Sequence, residues 1–160
     1  MMIDWAKSLP WNVITAKSAD FNLDSLLVAA IIWHESKGQI YATRFEPNYK
    51  WLYDVDKFVN HLNSKETEIA LQSCSFGLMQ IMGAVVRELG YTGYLAKIYR
   101  PDINIYYGCM YLDKLRKKWP DMKDHVAAYN GGHPAKINGK LRSDLQSYVD
   151  SVLKYYHDLM

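Results

Sequence analysis

Between Leu23 and Trp33 the only polar positions are Asp24 and Ser25, and Leu26 through Ile32 leave no polar face. A helix with no polar face is buried on all sides. Asp20 or Asn22 suits its N-cap, and Gly38 supplies a stop just beyond it. Glu35 then falls in the last turn of a buried helix. Burial disfavours a carboxylate, and the negative end of the helix dipole disfavours it further. Both effects raise its pKa toward what a general acid needs near neutral pH. Spacing alone leaves a second reading open, in which Glu35 meets a lysine or arginine at the surface.

The rest of the chain is patterned mostly at helical period. Residues 2–17 read as one or two short helices broken at Pro10. Pro47 stops any helix at Glu46, the residue before it being pushed toward an extended conformation. Tyr49, Trp51, Leu52, Tyr53, Val55, Phe58 and Val59 predict a short amphipathic helix after that turn. Ser64 is the N-cap of another short helix running to Ser73. Gly77 to Gly90 reads as a turn followed by a helix. Pro101 sits at the start of a longer helix that runs to Lys117 and Lys118, with Pro and basic residues at the ends that suit them. Asp121 or Asp124 caps the next helix, which ends near Gly131 and Gly132. Ser143 caps a last helix to about His157, with Leu145, Tyr148, Val149, Val152, Leu153 and Tyr156 on its apolar face. Strand-type alternation is sparse. The expectation is one mostly α domain over residues 1–160, with no internal repeat and no linker.

Composition narrows the class. A chain of 160 residues with 49% hydrophobic residues has enough material for one real core. Nineteen Lys and Arg against seventeen Asp and Glu give a formal charge of +2, too balanced for a dedicated nucleic-acid binder. No stretch approaches the roughly 18 to 20 apolar residues that span a bilayer. The N-terminus lacks a basic segment followed by an apolar one, so no secretory signal is visible and synthesis in the cytoplasm is expected. Cys74 and Cys109 have neither zinc-site nor framework spacing. Two partly buried thiols are expected, with a single disulfide as the alternative. No His, Cys or carboxylate spacing suggests a metal, no Gly-rich loop suggests a phosphate site, and no cofactor is expected.

Three stretches, in this order, resemble the soluble lytic transglycosylase family: Glu35-Ser36 closing an apolar helix, Gly77-Leu78-Met79-Gln80-Ile81-Met82, and Ala127-Ala128-Tyr129-Asn130-Gly131-Gly132. Between the last two, Pro101, Asn104-Ile105, Gly108 and Tyr111-Leu112 are similar to a helix of the same family. Each piece alone is weak, but the ordered set is specific. The resemblance implies a lysozyme-like α fold that cleaves the glycan strands of peptidoglycan. It carries the role of single catalytic acid onto Glu35. It places Gln80 and Met82 at the cleft, makes Tyr129 the tyrosine that orients the acid and the substrate, and makes Asn130 a neighbouring polar residue. The family's serine upstream of the second motif falls on Ser73 or Ser75, with Ser73 taken as the candidate.

The chain also departs from the pattern. Gly83 stands where the family usually has proline, and Asn130-Gly131-Gly132 stands for the usual Asn-Ala-Gly. The gap between Glu35 and Gln80 is longer than in the compact family pattern. The inserted segment, containing Arg44 to Trp51, resembles a branch common in phage-encoded members. It brings in a second carboxylate, Glu46, expected to position substrate or to pair with Arg44 or Lys50. The alternative is that Glu35 and Glu46 together hydrolyse the glycan, as in goose-type lysozymes. A protein that binds the wall without cleaving it is a third reading. A phage lysis protein released through a membrane lesion, a part of the phage particle that opens the wall at entry and a component of a secretion machine are all open as routes to the bacterial wall.

Overall fold

The computed structural model describes residues 3–160. The expected start of the first helix at Met2 lies outside the described residues. A short 3-10 turn at Asp4–Ser8 leads through Pro10 into α1 (Trp11–Asp20). The apolar run forms α2 (Ser25–Ser36), and Leu27 through Ile32 are all buried. Its cap is neither Asp20, which ends α1, nor Asn22. Asp24 caps it, the side chain accepting from the Leu26 N–H at 2.9 Å. Asp24 reads as an interruption of the apolar run only if its capping role goes unrecognised. At the other end Lys37 and Gly38 both adopt left-handed backbone, which terminates the helix two residues after Glu35.

α2 runs through the centre of a helical bundle made with α5 (Pro101–Lys118), α6 (Met122–Gly131) and α7 (Ser143–Leu159). It packs mainly on α7 and α1, while α5 joins α1 to α6. α5 begins at Pro101, and α6 is capped by Asp121, whose side chain accepts from the Lys123 and Asp124 N–H groups. Ser143 does not cap α7; it is the helix's first residue, and an Arg142–Asp144 ion pair closes the start instead. Between α6 and α7 a small hairpin, β4 (Lys136–Ile137) with β5 (Lys140–Leu141), turns at Asn138-Gly139, both at positive φ. That pair is the expected chemistry for a two-residue hairpin turn.

A second, smaller cluster packs Phe76, Ile81, Val86, Leu95 and Ile98. It lies under a three-stranded antiparallel sheet of β1 (Thr43–Phe45), β2 (Cys74–Phe76) and β3 (Ile81–Met82), in that order. α3 (Lys65–Gln72), capped by Ser64 as expected, precedes β2, and α4 (Gly83–Glu88) follows β3. α3 and α4 approach so closely that a Cβ at Gly83 would run into the Leu71 carbonyl. That contact is the physical reason this chain carries glycine there.

The amphipathic helix expected over Tyr49 to Val59 does not form. Only Val55–Phe58 makes a 3-10 turn. Asn48 and Asp54 adopt positive φ, and the segment is fixed at both ends to the end of α3. The Glu46 N–H donates to the Ser73 carbonyl at 2.9 Å. The Gln72 amide accepts from the Tyr53 N–H at 2.7 Å and donates to the Tyr53 carbonyl at 2.9 Å. Residues 46–53 are therefore a strap. Among the described residues no helix is long and apolar enough to cross a membrane. Both cysteines are free thiols, Cys109 in the main core and Cys74 half-buried.

Candidate active site

The turn at Gly77–Gln80 is held by side chains from three helices. Ser36, next to Glu35, donates from its hydroxyl to the Leu78 carbonyl at 2.8 Å. Asn104 on α5 is fully buried; its oxygen accepts from the Met79 N–H and its amide donates to the Phe76 carbonyl, both at 2.8 Å. Tyr129 on α6 donates to the Met79 carbonyl at 2.8 Å. Each buried backbone group of the turn that meets one of these side chains gains a partner it would otherwise lack. Gly77 adopts φ +66°, and a Cβ there would strike the Asn104 side chain. The Gln80 amide donates to the Ala42 and Gly77 carbonyls, and its oxygen accepts from the Ser75 hydroxyl at 2.9 Å. Thus the motif residues hold β1, the turn and the end of α2 in one rigid unit.

Glu35 projects from that unit into a cleft of about 610 Å³. Burial pushes its carboxyl up from 4.5 to about 7, against the opposing pull of a hydrogen bond from Tyr148 and the charges of Arg44 and Lys37. The Tyr148 hydroxyl on α7 donates to Glu35 Oε1 at 2.6 Å. Tyr148 thus fixes one oxygen of the Glu35 carboxyl. Tyr129 makes no hydrogen bond to Glu35; its hydroxyl is taken by the Met79 backbone, while its ring packs on Tyr111 with centroids 5.4 Å apart. The His34 ring meets Tyr148 edge-on at 4.6 Å and its Nδ1 pairs with the Ser151 hydroxyl at 2.9 Å, so it packs behind the tyrosine.

The cleft brings together Glu35, Glu46, Gln80, Met82, Tyr129 and Asn130. Ser73 is not among them. Its hydroxyl donates to the Ile69 carbonyl at 2.8 Å at the end of α3. Ser75, two residues on and across the strand, lines the cleft instead. Glu46 forms an ion pair with Arg44, Nε to Oε1 at 2.7 Å. Among the described residues no cluster of three or more His, Cys, Asp or Glu side chains could hold a metal ion.

The Tyr148 hydrogen bond favours the charged form of Glu35, so its loss must raise the titration midpoint further. In Tyr148→Phe, a carbon-13 NMR titration of the Glu35 carboxyl should give a midpoint above the value of about 7 expected for the parent protein. A midpoint that stays put or falls would show that the hydroxyl does not bond the carboxylate in solution.

The model of the transglycosylase SLT domain matches residues 12–148. A transglycosylase of Enterobacteria phage PRD1 is 30% identical over 145 residues, covering 90% of this chain and 42% of that protein. The crystal structure of an inactive mutant of the lytic transglycosylase Slt from Pseudomonas aeruginosa superposes with a TM-score of 0.63 at 18% identity, over 91% of this chain and 23% of that one. The chain therefore spans less than half the length of these relatives, and it shares the lysozyme-like helical fold of Slt. The family model runs from α1 through Glu35 to the Tyr148 that holds it, and the chain belongs to the transglycosylase SLT domain family.

Proposed function

We propose that the protein is a peptidoglycan lytic transglycosylase that cleaves the β-1,4 bond between N-acetylmuramoyl and N-acetylglucosaminyl units. The observation that carries this reading is Glu35: one carboxylic acid, protonated up to about pH 7, placed in an open cleft with a fixed hydrogen bond to one of its oxygens. Glu35 gives its proton to the glycosidic oxygen as the bond from that oxygen to the muramoyl C1 breaks, the electron pair leaving with the oxygen. The carbonyl oxygen of the substrate's own N-acetyl group bonds C1 and stands in for a protein nucleophile. Glu35, now a carboxylate, takes the proton of the muramoyl C6 hydroxyl. The C6 oxygen bonds C1, the bond to the acetamido oxygen breaks, and a 1,6-anhydro ring closes. No water is consumed, and Glu35 ends protonated as it began. Because Tyr148 occupies Oε1, the other oxygen is left to carry the moving proton. Digestion of purified sacculi should release muropeptides lighter by one water than hydrolytic products in mass spectra. Reducing ends only would make the protein a hydrolase. Binding without any soluble fragment would leave wall attachment as its role.

Hydrolysis by two carboxylates has one observation in its favour, the presence of Glu46 in the same cleft. Its ion pair with Arg44 argues for a structural or substrate-positioning role. Glu46→Gln should therefore keep cleavage of sacculi within about threefold of the parent rate. A fall of about a hundredfold or more, the scale of a lost general base, would establish Glu46 as that base. The kinship with a phage PRD1 transglycosylase supports a phage role, at lysis or at entry, over a secretion machine.

A further inference from the structure

The insertion does more than lengthen the chain between Glu35 and Gln80. Its strap, fixed at Glu46 and Tyr53 to the end of α3, has no other backbone hydrogen bonds among the described residues. It forms one wall of the cleft, and Trp51 on that wall is 77% exposed. Tyr49 turns inward, half-buried, toward Tyr111 and Glu88. Trp51 stands free. An indole is the largest apolar face a side chain can offer, and burying it against a ligand is a strong driving force. A tryptophan left in water on a strap tied at both ends along a cleft is a surface waiting for a partner.

The charges of the cleft make the partner more specific. Arg44 and Glu46 cancel as an ion pair. Glu35 is largely neutral below its raised pKa of about 7. Lys50, next to Trp51, has no carboxylate partner among the described residues and is the remaining fixed charge on the lining. The wall therefore offers an apolar ring face beside one free ammonium group. That pair matches a pyranose ring carrying an acidic substituent. In a peptidoglycan strand, the sugar that fits is the muramoyl unit with its peptide stem, whose carboxylates are anionic.

We propose that Trp51 and Lys50 form a subsite for a peptide-bearing sugar, Trp51 stacking on the pyranose ring and Lys50 pairing with a carboxylate of the stem. The subsite rests on the proposed glycan substrate and selects strands that still carry their peptides. It makes the insertion a specificity device rather than part of the reacting centre.

Binding to the Glu35→Gln protein tests the subsite apart from chemistry. Two probes are needed: soluble glycan strands with their peptides, and the same strands stripped by an amidase with the freed lactyl carboxylates converted to neutral methylamides. Calorimetry on Glu35→Gln/Trp51→Ala should show Kd raised about tenfold on both probes, the scale of a lost aromatic stacking contact. Glu35→Gln/Trp51→Phe should recover most of that loss. Glu35→Gln/Lys50→Ala should raise Kd about threefold on the peptide-bearing strand only, the scale of an exposed ion pair, and high salt should erase the difference. Both side chains are exposed, so melting temperatures should not move. Unchanged affinity in the Trp51→Ala background would overturn the subsite. An equal loss on both probes in the Lys50→Ala background would overturn the assignment of the stem carboxylate. Failure of the cleavage reading shows separately, as wild-type protein that binds peptide-bearing strands in this pattern but releases nothing from sacculi.

Discussion

Glu35→Gln should abolish cleavage of sacculi and, above neutral pH, make the folded protein more stable. The first half follows from the two roles of one group. A positioned acid or base contributes about 10²–10⁴ to rate, and in the proposed mechanism the same carboxyl serves as both, so a loss near the upper end or beyond is expected. The second half follows from proton linkage. In the unfolded chain Glu35 ionises near 4.5; in the folded protein it holds its proton to about 7. Between those values the folded state binds the extra proton, so unfolding free energy falls as pH rises from about 4.5 to about 7 and is flat above that window. A shift of this size corresponds to about 3 kcal/mol. Glutamine cannot ionise and escapes the loss. Urea unfolding should therefore find the variant more stable than the parent at pH 8 by up to about 3 kcal/mol, less whatever the Tyr148 hydrogen bond loses, and no more stable at pH 4. An equal difference at both pH values would mean that burial does not perturb Glu35. Such a gain in stability on removing the reacting group is the expected sign of a site strained for function.

The burial and raised pKa of Glu35 were legible in the sequence because its environment is local, whereas its role was read only from the ordered motifs. A helix with no polar face must be buried, and the carboxyl that closes it must feel that burial. The tyrosine that holds it was not legible. Tyr148 lies 113 residues away on a helix whose apolar stripe it shares, and nothing in the stripe's spacing distinguishes a ring that fills a core from one whose hydroxyl reaches a carboxylate. Tyr129 drew the assignment because its neighbours match the motif, yet its hydroxyl stabilises the turn that shapes the site. The serines show the same limit on a smaller scale. Ser73 ends α3 and bonds back along it, while Ser75 lies on β2 and turns to the cleft. Which one faces the cleft depends on where helix gives way to strand. The strap was misread for a different reason. Apolar residues at helical spacing normally mark a face that packs on a core, whereas Trp51 and Leu52 are exposed, and left-handed backbone at Asn48 and Asp54 keeps the segment from coiling.

The largest loss of stability should come from Glu68→Ala, a residue outside the cleft lining that nonetheless supports the cleft wall. Glu68 and Arg87 are buried, and the guanidinium makes two bonds to the carboxylate, at 2.7 and 3.0 Å. The remaining carboxylate capacity is filled by Asn63 at 2.7 Å and Gln72 at 2.9 Å, and Arg87 also donates to the Tyr91 and Gly93 carbonyls. Burial alone would raise the Glu68 carboxyl; the bonds from Arg87, Gln72 and Asn63 outweigh it and hold the group below its ordinary value. Truncation leaves the Arg87 charge buried without its counterion, a loss of about 3–5 kcal/mol. Because Gln72 links Glu68 to both backbone groups of Tyr53, the same change should free one end of the strap and expose it to proteolysis. The pH dependence is opposite to that of Glu35. A carboxyl held low contributes stability that is fully present above its unfolded value of about 4.5 and is lost as pH falls through the lower folded value, so the gap between parent and Glu68→Ala should narrow in acid. Glu68→Leu with Arg87→Met distinguishes charge from packing. Replacing a whole buried pair by apolar side chains of similar volume is often near neutral, and that double variant should recover most of the loss. If it is as unstable as Glu68→Ala, the arginine's bonds to the Tyr91 and Gly93 carbonyls, rather than the ion pair, are what hold α3 and α4 beneath the strap.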